Sequence, residues 1–178
     1  MILLDFVDNH PFVSGVIGSF IASSFFIFTL LIIGRPIIKI SPDISFSKDY
    51  SQDGNCYYFK IINNSLFPAH DINLELNALT PIPSDGKMNF SFKKLPLKVE
   101  SMFTINDKLA KDNKYAVQFR CYENLKDILS DPHSFLRLEI HAKNGLTGIS
   151  ATFSHDFCDI YVVKDKPFNV GRKLNIDI

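Results

Sequence analysis

Chemistry in this chain has to come from its histidines, its cysteines or its clustered charges. The five histidines are His10, His70, His133, His141 and His155, and the three cysteines are Cys56, Cys121 and Cys158. The run His155-Asp-Phe-Cys158-Asp159, with His141 brought in across a hairpin, offers donor types that zinc accepts. Zinc needs three or four ligands converging tetrahedrally, and this spacing matches no finger or metalloenzyme pattern, so no metal is expected. Cys121 and Cys158 become nucleophiles only beside a positioned base, which the sequence does not nominate. There is no Walker A loop, no GxGxxG after a strand, no GxSxG elbow and no HExxH, and Gly145-Leu-Thr-Gly148 has the composition of a turn. The expectation is a chain without catalytic residues and without a cofactor.

The charged row Arg137, Glu139, His141 and Lys143 is a different matter. It alternates with Leu136, Leu138, Ile140 and Ala142, so one face of a strand is packed and the other carries the charges. Gln118 and Arg120 are expected on a strand nearby. Two readings stand. The row is the ordinary solvated face of a sheet, or it is a face for an anionic ligand such as a nucleotide, because arginine forks and lysines grip phosphates. In the second reading Arg120, Arg137, His141 and Lys143 bind the ligand, and Tyr57 or Tyr58 either stacks a base or packs into the core. The chain as a whole balances 19 Lys and Arg against 19 Asp and Glu, which gives no overall signature for nucleic acid or anionic lipid.

The elements that position these residues are strands. Cys56–Asn63 puts Tyr57, Phe59 and Ile61 on one face; Asp71–Ala78 alternates Ile72, Leu74, Leu76 and Ala78 with polar residues; Lys114–Cys121 and Phe135–Lys143 alternate likewise. Ile37–Ile40, Ile44–Phe46, Met88–Phe92, Met102–Ile105, a strand led by Ile149, Ala151 and Phe153, then Tyr161–Val163 and Leu174–Ile178, read as shorter strands. Asp49–Asn55 reads as a turn cluster, and Asn144-Gly145 with Gly148 as a tight hairpin. Pro81 and Pro83 make Thr80–Gly86 a loop without ladder pairing. Tyr122–Leu129 is the one helical piece, stopped by Asp131-Pro132. The fold class is all-β, an immunoglobulin-like sandwich or small barrel over residues 35–178. An odd number of cysteines without a CxxC pair suits a reducing compartment. Asn63-Asn-Ser65 and Asn89-Phe-Ser91 match the glycosylation pattern, which is common by chance.

Ahead of that domain, Phe12 to Ile33 contains no ionisable side chain and no proline. As a helix it reaches roughly 33 Å, enough for a hydrocarbon core of about 30 Å. It has no polar stripe at helical spacing, so residues 12–34 read as a transmembrane helix. The leader, residues 1–11, lacks Lys and Arg and carries Asp5 and Asp8, which argues for a retained anchor over a signal peptide. Arg35, Lys39 and Lys48 follow the span and predict the N-terminus outside and the β-domain in the cytoplasm. Within the span Ser14, Gly18 and Ala22 form one row, and Gly15, Ser19 and Ser23 the row beside it. Such ridges either reflect the usual composition of membrane helices or let copies associate closely. An associated bundle is the only way a single helix lines a pore, here with Ser14, Ser19, Ser23 and Thr29.

The run Tyr58-Phe-Lys-Ile-Ile-Asn-Asn-Ser-Leu-Phe-Pro-Ala-His-Asp-Ile-Asn-Leu-Glu-Leu76 resembles the strand–loop–strand of bacterial immunoglobulin-like modules. The stretch from Phe135 to Phe153 looks like the C-terminal hairpin of small bacterial membrane proteins with this layout. In architecture the chain is similar to the membrane effectors of bacterial anti-phage nucleotide signalling, which couple transmembrane helices to a β-rich sensor. Many of those have two helices per chain; this one has one. The resemblance implies a single-pass protein of the bacterial inner membrane, a homo-oligomer through its helix, with a nucleotide or oligonucleotide ligand. The other reading of the same layout is an anchored module that docks a protein partner at the inner membrane face.

Overall fold

The structure is a computed structural model that describes residues 11–49, 55–84, 87–111 and 113–176. An all-β domain of two sheets follows one N-terminal helix, α1 (Pro11–Ile33). The helix is exposed along almost its whole length and apolar around its circumference, long enough to cross a membrane. Two of its hydroxyls fold back on the helix backbone, Ser19 Oγ donating to the Gly15 carbonyl at 2.9 Å and Thr29 Oγ1 to that of Phe25 at 2.8 Å.

The first sheet holds β1 (Ile38–Ile40), β2 (Ile44–Lys48), β3 (Asn55–Asn63), β7 (Ala116–Cys121) and β10 (Val163–Lys164). β7 lies along one edge of β3; β2 and β1 share the other, and β10 runs parallel to β2. The second sheet holds β4 (Ala69–Ser84), β5 (Lys87–Leu95), β6 (Ser101–Ile105), β8 (Phe135–Asn144) and β9 (Ser150–Phe157). The sixteen residues of β4 form its spine, with β8 on one edge and β6 then β5 along the other. A short helix, α2 (Leu125–Leu129), leads towards β8.

Alternation decides which side of each strand is dry. Leu136, Leu138, Ile140 and Ala142 of β8 are all fully buried, as are Ile72 and Leu76 of β4, and they share one core with Phe59, Ile61 and Phe119 of the other sheet. Phe59 meets Phe157 edge to face, ring centres 5.5 Å apart, and joins the two sheets at the centre.

Four sequence expectations need correction. Thr80–Ser84 is strand, paired with Lys87–Ser91 of β5. Pro81 and Pro83 are two residues apart, so their nitrogens turn to the same side of the strand, the side β8 has already left at Leu79. Tyr161–Val163 is mostly a single 3₁₀ turn, Ile160–Val162, capped by Asp159, before the two-residue β10. Leu174–Ile176 is no strand, and residues 177–178 lie outside the described ones. The turn cluster Asp49–Asn55 falls largely outside them as well. The helical piece starts at Leu125, three residues later than expected.

The tail from Lys166 to Ile176 lies across the outer face of β3. The carbonyl of Lys166 accepts from Ser45 Oγ at 2.7 Å and that of Leu174 from Ser41 Oγ at 2.6 Å, while Ile176 N donates to Asp43 at 2.7 Å. Phe168 and Ile176 pack on Cys56 and Tyr58, so both faces of β3 are dry. Lys60, on the outer face, is consequently buried. Its ammonium donates to the carbonyls of Asn169 at 2.7 Å and Lys173 at 2.8 Å, and burial holds its pKa below the usual lysine value.

Candidate ligand face and helix junction

β8 carries the charged row on the outer face of the second sheet, and each of its cations has an acid beside it. Arg137 forks onto Asp156 of β9, Nε to Oδ1 and an Nη to Oδ2 at 2.7 Å each. Lys143 holds Asp71 at 2.8 Å, at the bulge where Asp71 takes a φ of 49°. His141 faces Thr152, Nδ1 to Oγ1 at 3.4 Å, and Glu139 pairs directly across from Glu75. Between these strands lies a shallow depression of about 530 Å³ lined by Asn73, Glu75, Lys94, Glu100, Glu139 and His141. Lys94 is bonded to Glu100 there at 2.8 Å.

Arg120 is not with them. β7 belongs to the other sheet, so the expected neighbourhood of Gln118 and Arg120 to the row does not form. Arg120 reaches instead to Asp49, at 3.1 Å, which is 1 % exposed and also accepts from the Tyr122 hydroxyl at 2.5 Å. Its guanidinium lies 5.6 Å from the centre of the Tyr58 ring. Tyr57 packs into the core, bonded to Asn124, and Tyr58 lies under the C-terminal tail, so neither presents a free ring.

The other candidate chemistry is dispersed by the pleat. His155 lies on the inner side of β9 against Phe157, 4.7 Å between ring centres, whereas His141 lies on the outer side of β8. Among the described residues no group of three His, Cys, Asp or Glu could hold a metal ion. Cys121 is buried in the core and desolvation pushes its thiol up to about 11, Cys56 is buried under the tail, and Cys158 is exposed.

The ion pairs of the row shape its response to acid and to anions. Hydrogen bonds from Arg137 and Lys143 hold the carboxyls of Asp156 and Asp71 below the ordinary range. Their stabilising effect is therefore complete above the unfolded carboxylate value near 4 and is lost as pH falls through the lower folded values. Both pairs are partly solvated, so the effect on stability is small. An anion seated on this face has to take Arg137 and Lys143 from their carboxylates. Adding pyrophosphate is expected to move both Asp pKa values up towards the ordinary range, read by carboxylate NMR titration; unchanged values would show that no anion binds there.

At the opposite end of the helix from its start, the chain enters the domain through a bonded joint. Gly34 N closes the helix on the Leu30 carbonyl at 2.7 Å, and Thr147 Oγ1, from the β8–β9 turn, donates to the Gly34 carbonyl at 2.7 Å. Only glycine fits, because a Cβ at residue 34 would overlap both the Thr147 methyl and the Leu30 carbonyl. Three residues further on, Ile37 N donates to Ser65 Oγ at 2.7 Å and the Ile37 carbonyl accepts from Asn64 N at 2.8 Å. The β3–β4 loop that supplies these groups is itself held by Asn63, which is fully buried. Its Oδ1 accepts from Ser65 N at 2.9 Å, and its Nδ2 donates among the carbonyls of Phe67, Ile105 and Asn106 at 3.0 to 3.2 Å. Burial of both Asn63 and Ser65 also removes that glycosylation pattern as an acceptor.

From the sequence Asn63 was read only as a strand end and part of a glycosylation pattern, and Thr147 was not singled out. An Asn two residues before a Ser at a strand end is the signal of an Asx turn, which would have found the first. Thr147 carries no such signal, because its partner lies 113 residues away.

No family model matches the chain, and no curated protein matches it. Among solved structures it is similar to Spo0M, a sporulation control protein from Bacillus subtilis, with a TM-score of 0.36 and 11% identity over 70% of this chain and 48% of that one. The chain thus spans about half the length of that protein. Likeness at this level argues neither fold nor activity.

Proposed function

We propose that this chain is a non-enzymatic, oligomeric membrane effector, the role implied by its resemblance to anti-phage signalling effectors. α1 crosses the bilayer of the bacterial inner membrane, and copies meet through Ser14, Gly18 and Ala22 and through Gly15, Ser19 and Ser23. The cytosolic β-domain takes a nucleotide or oligonucleotide, and its occupancy biases how the helices pack. A ligand does this only if it binds the two bundle states with different affinity, so helix and sensor have to move as one body. The observation that carries the reading is the joint: Thr147, Ser65 and Asn64 hold the first residues after the helix by three hydrogen bonds. A passive tether has no use for such a connection.

Expression of the full chain is expected to admit a small dye into cells. Exchange of residues 12–33 for an unrelated single-pass anchor is expected to abolish the uptake, with the β-domain still folded. Uptake that survives the exchange would overturn the effector reading.

One observation favours the alternative, a membrane-anchored interaction module. The β4–β5 arm runs five residues beyond the end of β8 and exposes Phe90 and Phe92 on the face that carries Phe135, a surface suited to a protein partner. On that reading the anchor exchange leaves function intact, and Phe92→Ser removes it.

A further inference from the structure

The joint between helix and domain also fixes which end of the sandwich faces the membrane. Three loops lie at that end. The β8–β9 turn touches the helix end through Thr147 and Gly34, and its Gly145 N donates to the Pro68 carbonyl of the β3–β4 loop at 2.8 Å. The β6–β7 loop joins them through Lys108 N, which donates to the Ser65 carbonyl at 3.1 Å. Each loop presents one leucine outwards: Leu66 is 48% exposed, Leu146 59% and Leu109 72%. Loop tips in water have no use for three leucines, and here they share the end from which an apolar helix emerges. Around them stand basic side chains: exposed Arg35 directly after the helix, Lys108 and Lys111 in the β6–β7 loop, and Arg172, whose guanidinium donates to the Lys108 carbonyl. Against these four cations the β6–β7 loop carries Asp107, which accepts from Leu109 N, and Asp112 in sequence, so a basic excess remains at this end of a chain that is neutral overall.

We infer that Leu66, Leu109 and Leu146 dip into the headgroup and acyl boundary of the leaflet through which α1 passes, with Arg35, Lys108, Lys111 and Arg172 on its anionic headgroups. The β-domain is then held by the membrane at four points, its helix and three loop tips, and not on a single stalk. Side chains of this kind bury about 5–10 Å into the interface, and their lysines and arginines add electrostatic attraction to anionic lipid. The surface deepens the reading of α1 as a membrane span and rests on it.

The full chain carrying Cys158→Ser accepts a single environment-sensitive label at Leu66→Cys, Leu109→Cys or Leu146→Cys, all at exposed positions, or at Phe92→Cys on the far arm or Ile21→Cys in the helix. Each is reconstituted into vesicles of phosphatidylcholine and phosphatidylglycerol containing a nitroxide-labelled lipid. Labels at 66, 109 and 146 are expected to be quenched and blue-shifted with the label at 21, while the label at 92 stays water-like. Quenching at 21 alone would overturn the loop contact and leave the span standing. A label at 21 that escapes quenching would overturn both.

Discussion

Asn63→Ala is expected to lower the unfolding free energy of the β-domain by about 3–5 kcal/mol, the sum of several buried polar groups left without partners. The Ser65 amide loses its acceptor, and the carbonyls of Phe67, Ile105 and Asn106 lose their donor, at a site closed to water. The neighbouring change, Asn64→Ala, is the control: its hydrogen bond to Ile37 runs through the backbone, so the cost stays within about 0.5 kcal/mol. Urea unfolding followed by tyrosine emission measures both. Because Ser65 also holds Ile37, the Asn63 variant is expected to loosen the helix joint along with the loop. Equal midpoints for the two variants would remove Asn63 as the organiser of that end.

The second large effect is on assembly. A Cβ added at Gly15 or Gly18 would find open space among the described residues. Each glycine costs about 1 kcal/mol of helix stability relative to alanine, a cost that no contact among the described residues returns. Close approach of a second helix returns it. Gly15→Leu combined with Gly18→Leu is therefore expected to abolish self-association without unfolding the helix. Copies labelled with donor or acceptor at Cys158, the exposed cysteine, report this by energy transfer in vesicles. Transfer should fall to the level of random mixing in the double variant. Undiminished transfer would mean that the glycine face is not the contact.

Much of the fold was legible because alternation carries its own geometry. Leu136 to Ala142 could only be the dry side of a strand, and the row Arg137 to Lys143 could only be its wet side; both stand as read. What alternation does not carry is the neighbour. Arg120 was expected beside that row from its pattern alone, yet β7 pairs with β3 in the opposite sheet. Pro81 and Pro83 read locally as breakers, and only the early end of β8 shows why both are tolerated. The burial of Lys60 carries no local signal, because the tail that covers it comes more than a hundred residues later and has no periodicity of its own.

The candidate ligand face shows the same limit more sharply. Residue types proposed Arg137 and Lys143 as phosphate grips, and the structure seats each on a carboxylate supplied by another part of the chain, Asp156 and Asp71. The helix joint was invisible for a related reason: glycine after an apolar run reads as a helix stop, whether or not a threonine from a distant turn is bonded to it.

An effector of this kind requires α1 to join copies of the chain within a bilayer. The mass of the full chain in lipid nanodiscs, taken by native mass spectrometry, tests this most directly. A single integral multiple of the 20.2 kDa chain, lost in the Gly15→Leu, Gly18→Leu variant, is the expected result. A wild-type chain that enters every disc alone, at every protein-to-lipid ratio, would contradict it.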